Sequence, residues 1–237
     1  CKKNSNNQPA GNGGGNTTAS GYTNVSGTLG GHRILTANIF TGTPDTSYSG
    51  YAYFFNPAQN NWTFWNPNVT TVAGDVFLNS TKLQYYSIGV SLYLDSTGTL
   101  NLRDSVNWQV AGAGVIPAFS FSPGLSFPSY TGYSQLPDTI YKTQNNMIIF
   151  SGISGADSVN VTINDGSLSA GHTSTSKRVS ATTGSTTFLS SYTSGFNNTS
   201  SGNLQLEVYR FAPVQTFSGK NFVFLYSTQY KRKIVIK

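Results

Sequence analysis

Charge is scarce in this chain: 9% of its 237 residues are Asp, Glu, Lys or Arg. Two strong helix formers occur once each, as Glu207 and Met147, so long helices are disfavoured. Cysteine occurs once, at Cys1, and cannot form an internal disulfide. No apolar run approaches the roughly 20 residues of a membrane-spanning helix. The two histidines, His32 and His172, both follow glycine and read as exposed loop residues. With one cysteine they are too few for a zinc site, and the sequence predicts neither metal nor cofactor. The lone Glu207 leaves no carboxylate pair of the glycosidase kind. No Gly-x-Ser-x-Gly elbow and no Asp-x-Asp-x-Asp-Gly calcium loop occurs. These missing parts predict a protein that is not an enzyme.

What is present favours strands. Aromatic residues make up 14% of the chain, with 14 Tyr and 15 Phe, and each ring removes a large area from water. The net charge of +6 is concentrated at the ends, on Lys2, Lys3, Lys231, Arg232, Lys233 and Lys237. No basic cluster interleaved with aromatic readers lies between them, so nucleic acid is not expected as a partner.

Short apolar stretches separated by Gly, Pro, Asn and Asp predict strands. In the first half these are Ile34–Phe40, Gly50–Phe55, Asp75–Leu78, Lys82–Tyr86, Val90–Leu94, Thr99–Leu102 and Val106–Val110. In the second they are Met147–Phe150, Ser158–Asn164, Lys177–Ala181, Thr186–Leu189, Asn203–Phe211, Asn221–Ser227 and Tyr230–Ile236. Period-two alternation is clean in Val159, Val161, Ile163 and in Leu204, Leu206, Val208, with Asn160, Thr162, Gln205 and Glu207 expected to face water. Four prolines between Pro117 and Pro137 place a junction there. The expected fold is all-β, two antiparallel β-sandwich units of which the second is immunoglobulin-like. The expected division is a tether over 1–22, a sandwich over 23–121, a Pro-rich linker over 122–137 and the second sandwich over 138–237. The last strand reads as an edge strand whose lysines discourage aggregation.

The start, Cys1-Lys2-Lys3-Asn4-Ser5 followed by a Gly-rich and Asn-rich stretch, resembles the mature start of a bacterial lipoprotein, and the whole resembles the surface-exposed outer-membrane lipoproteins of the Bacteroidetes. That resemblance implies a signal peptide removed before Cys1, a diacylglycerol on its sulfur and an outer-membrane location at the cell surface. It also implies a protein partner in an outer-membrane assembly. Four triplets resemble the O-glycosylation acceptor of those bacteria: Asp95-Ser96-Thr97, Asp104-Ser105-Val106, Asp138-Thr139-Ile140 and Asp157-Ser158-Val159. The acceptors would be Ser96, Ser105, Thr139 and Ser158, although Asp-Ser and Asp-Thr are also ordinary turn dipeptides.

Two tryptophans beside amides, in Asn61-Trp62-Thr63-Phe64-Trp65, suit the faces and hydroxyls of a sugar, which makes Asn61, Trp62, Phe64 and Trp65 the candidate polysaccharide-binding residues. The competing account is that these rings fill the core. Three functions stay open: an accessory subunit of an outer-membrane assembly, a glycan-binding lipoprotein of an uptake system, or an adhesion or filament subunit assembled by strand exchange. The lipid expectation is checked by the intact mass of the native protein, which should exceed the sequence mass by at least a diacylglycerol. An unmodified Cys1 thiol contradicts it.

Overall fold

The computed structural model describes residues 24–36, 45–59, 70–87, 91–103, 106–166 and 173–237, and these are almost entirely strand. In the first half run β1 (Val25–Thr36), β2 (Asp45–Gln59), β3 (Thr70–Thr71), β4 (Val76–Leu78), β5 (Thr81–Lys82), β6 (Gln84–Tyr86), β7 (Leu92–Leu94), β8 (Trp108–Val110) and β9 (Phe119–Phe121). The second half contains β10 (Ser129–Tyr130), β11 (Thr139–Ile140), β12 (Asn146–Ile149), β13 (Ile153–Ser154), β14 (Ser158–Asn164), β15 (Ser174–Ser180) and β16 (Ser185–Phe188). It ends with one turn of helix, α1 (Ser190–Thr193), then β17 (Thr199–Phe211), β18 (Gln215–Phe217) and β19 (Lys220–Ile236). No helix of the described residues is long and apolar enough to cross a membrane.

One 11-stranded sheet carries the architecture: eight strands in the order β15-β14-β17-β19-β1-β2-β7-β6, with β11 and β18 also paired to β19 and β3 to β2. Its centre is β19, which pairs antiparallel with β17 and parallel with β1, Gly27 opposite Phe222 and Leu35 opposite Tyr230. The alternation of β19 decides where the cores lie. Phe222, Phe224 and Tyr226 join Leu29, Phe54, Leu78 and Trp108 in a first core, closed by the four-stranded sheet β5-β4-β8-β9. Tyr230, Ile234 and Ile236, further along the same face, join Ile148, Val161, Phe188 and Leu206 in a second core, closed by the β12–β16 pair. Val223 and Leu225 point through the sheet to a smaller cluster with Val25, Phe55 and Tyr209.

The chain is all-β, as expected. The junction expected at 122–137 separates two cores but not two sheets, because β1 and β2 hydrogen-bond into the sheet that the last strand centres. Asn221–Ser227 and Tyr230–Ile236 merge into β19, since Thr228 and Gln229 continue the ladder. The terminal strand is therefore not an edge, and its lysines do not guard one.

The first strand begins nine residues before the expected Ile34, at Val25. Its glycines had read as loop, yet they make room for rings. A Cβ at Gly27 would lie 2.9 Å from both Phe54 and Phe222, and one at Gly30 would lie 2.3 Å from the Tyr51 ring. Thr99–Leu102 carries no strand; Leu100 and Leu102 enter the first core from an extended loop.

Because both cores are built on β19, they should unfold together. Hydrogen exchange in urea should give one midpoint for the Leu29 and Val161 amides. Thr228→Pro, which removes a doubly flanked ladder position at a cost of about 3 kcal/mol or more, should lower both equally. Two separated midpoints would show independent units.

Candidate functional site

Of the residues the sequence singled out, Cys1, Asn61, Trp62, Phe64, Trp65, Ser105 and His172 lie outside the described residues. The other three acceptor hydroxyls sit in different settings. Ser96 is exposed in a turn that Asp95 closes, its Oδ1 accepting from the Thr97 amide at 2.9 Å and the Thr97 hydroxyl at 2.7 Å. Thr139 is half-buried in β11 opposite Val235. Ser158 is 1% exposed, and its Oγ accepts from Arg178 Nε at 3.1 Å and Nη2 at 2.9 Å. A glycosyltransferase acting on the folded chain can reach Ser96 and cannot reach Ser158.

The face of the large sheet opposite the two main cores holds a polar cluster that includes His32, Glu207 and Arg178. His32 is inside β1 rather than in a loop, with 15% of its side chain exposed. Its Nδ1 lies 2.5 Å from Ser227 Oγ and 3.3 Å from Glu207 Oε1. Glu207 is only 19% exposed on its side chain, so it does not face open water. The Tyr209 hydroxyl is hydrogen-bonded to it. Burial first and the Glu207 charge second hold the Tyr51 and Tyr209 hydroxyls protonated far above the usual range. Arg178 lies across the Tyr209 ring at 4.8 Å and the Phe211 ring at 5.5 Å.

Ser, His and Glu together invite comparison with a hydrolase triad, but the geometry is different. A relay needs the serine on one imidazole nitrogen and the carboxylate on the other. Here both face Nδ1, and Ser227 is 1% exposed. Among the described residues no three His, Cys, Asp or Glu side chains converge as metal ligands.

A second feature is apolar. Of the eight exposed large hydrophobic side chains among the described residues, five fall around the β12–β16 pair: Tyr141, Met147, Ile149, Leu189 and Tyr192. Asn146 and Ile148 face the core, so Met147, at 60% exposure, and Ile149 face out. They oppose Thr187 and Ser185, and Leu189 continues that outward row. The Ser190 amide donates to Asn145 Oδ1 at 2.9 Å, and the Thr193 hydroxyl to the Lys142 carbonyl at 3.3 Å, which fastens α1 and its Tyr192 to the turn that carries Tyr141.

Lys177 donates to the Thr187 carbonyl at 3.3 Å, beside the patch, and no Asp or Glu occurs between Tyr141 and Ile149 or between Ser185 and Tyr192. The sequence predicts a strand over Met147–Phe150 without assigning its faces. The signal available there is that Met-Ile-Ile-Phe is apolar on both faces, which in a two-stranded sheet leaves one face uncovered.

No protein-family model, curated protein or solved structure matches the chain.

Burial lowers the His32 pKa below 6.5, outweighing the attraction of Glu207, and Lys231 lowers it further. The unfolded chain therefore binds this proton more readily than the native state, and His32 costs stability as pH falls below about 6.5. The urea midpoint should rise from acid to neutral pH, and His32→Asn should remove part of that rise. An identical pH profile in the variant contradicts the assignment.

Proposed function

We propose that this chain is a non-enzymatic interaction protein that docks on a partner protein through the outward face of the β12–β16 pair. The observation that carries this reading is the concentration of exposed apolar side chains at Met147, Ile149, Leu189, Tyr141 and Tyr192. A concentration of exposed apolar side chains is a usual mark of a docking site, and Met adapts well to a partner's relief. The cations at its margin, Lys142 and Lys177, and the absence of acidic residues from both flanking segments fit a partner with an apolar centre and an acidic rim. A second copy of this chain fits poorly, because it would bring lysines against lysines.

The test is cross-linking of the full chain in the cells that make it, followed by mapping of the joined peptides. Cross-links should run from 141–149 and 185–193 to Asp-rich or Glu-rich segments of one partner. Met147→Glu should reduce them at least about tenfold, the effect of losing one hot-spot residue, while an exposed substitution leaves stability within about 0.5 kcal/mol. Cross-links to another copy of the chain, or yields indifferent to Met147→Glu, would overturn the reading.

A further inference from the structure

We infer that the partner engages this face with an extended segment that adds to the open edge of β12 as a further strand, an inference that rests on the docking reading above and specifies how the docking is made.

Backbone hydrogen bonds in an antiparallel pair alternate, so every second residue turns its N–H and C=O away from the neighbouring strand. The phase of the β12–β16 pair is set by the Phe150 amide, which donates to the Gly184 carbonyl at 2.8 Å. Ile148 and Asn146, in step with Phe150, are therefore bonded to Thr186 and Phe188, which oppose them. Met147 and Ile149 turn their N–H and C=O groups outward, and these four groups have no hydrogen-bond partner among the described residues. The same two residues carry exposed apolar side chains. An unpaired edge that bears exposed apolar side chains, and neither charge nor proline, is a template for strand addition.

The two edges of this small sheet are treated differently by the rest of the chain. On the β16 side the outward Thr187 carbonyl is taken by Lys177, which reaches across from β15. On the β12 side the chain begins to supply a neighbouring strand and then withdraws it. Tyr130 pairs with Ile153 just beyond β12, and the Thr131 amide donates to the Gly152 carbonyl at 3.1 Å. This neighbour runs along the same edge as Met147 and Ile149. Ser151, in step with them, has its carbonyl where a Cβ on Gly132 would meet it, and its hydroxyl donates to Gln135 Oε1 at 2.6 Å. The chain then turns at Tyr133–Gln135 and crosses to the large sheet, where Thr139 and Ile140 pair with β19. Tyr133 fastens it there, its carbonyl accepting from Arg232 and its hydroxyl donating to the Lys231 carbonyl, both at 2.8 Å. The line of β10 therefore stops short of Ile149, and an added strand continues it.

The occupant is an extended segment of a partner protein with apolar residues at every second position and an acidic residue beyond them. Side chains of neighbouring strands line up face by face, so alternate residues of the segment lie beside Met147 and Ile149. Lys142, in the turn that leads into β12, stands at the Met147 end, and Asp138, ahead of that turn, is engaged by Arg232. The acidic residue of the segment therefore meets a cation at that end.

The experiment is hydrogen exchange read amide by amide in the full chain, alone and in the complex cross-linked in the cells that make it. Alone, the Met147 and Ile149 amides should exchange quickly, and those of Ile148 and Phe150 slowly. In the complex Met147 and Ile149 should slow at least about tenfold, while Ile148 changes little. Met147→Pro removes an N–H that the chain itself does not use. It should reduce cross-linking about fivefold below Met147→Ala, the loss of one hydrogen bond. Slow exchange of Met147 and Ile149 in the chain alone overturns the proposal, since a segment of the same chain then holds the edge. Protection found in a complex of two copies of this chain overturns it as well. Unchanged exchange in a complex that Met147→Glu still weakens overturns strand addition and leaves the docking face standing, whereas the absence of any complex overturns both.

Discussion

Everything else in the molecule depends on the double pairing of β19. One strand of 17 residues is hydrogen-bonded along one edge to β17 and along the other to β1, and its inward side chains supply both main cores in turn. The pairing partners lie far apart in sequence: Leu29 aligns with Phe224, and Val25 with Asn221. Such long-range closure is entropically expensive before it is rewarded. The first strand cannot find its place until β19 has been made.

The sequence showed the strand content, and it showed the two apolar alternations that became β14 and β17. Ser158–Asn164 was legible to the residue because Val159, Val161 and Ile163 alternate with polar partners and one face is buried. β1 was obscured for a physical reason. Gly27, Gly30 and Gly31 carry no side chain to reveal a period, and what makes them strand residues is the rings of Phe54, Phe222, Tyr51 and Tyr226 lying over them, which no local pattern displays. Parallel pairing with β19 was likewise invisible, since register between distant strands leaves no trace in either segment alone. Of the functional residues, Met147 and Ile149 could have been noticed from a strand apolar on both faces.

The polar cluster on the opposite face explains how so uniform a sheet keeps its alignment. Its members come from successive strands of the sheet: Arg178 on β15, Ser158 on β14, Glu207 and Tyr209 on β17, Ser227 on β19, His32 on β1 and Tyr51 on β2. A slip of one residue in any of these strands would turn its member toward an apolar core, leaving a buried polar group without its partners. The scarcity of charge makes this constraint sharper, because Glu207 has no second glutamate to replace it.

The parallel alignment of β1 with β19 also fixes how the molecule bears tension. The chain enters β1 at one end of this ladder and leaves β19 at the other, so a pull between the two ends runs along the strands. All the cross-strand bonds from Val25 to Thr36 then share the load at once, instead of parting one after another as they would in a peeled hairpin. The sheet's centre is therefore a shear joint, strongest against a pull directed from the start of β1 to the end of β19.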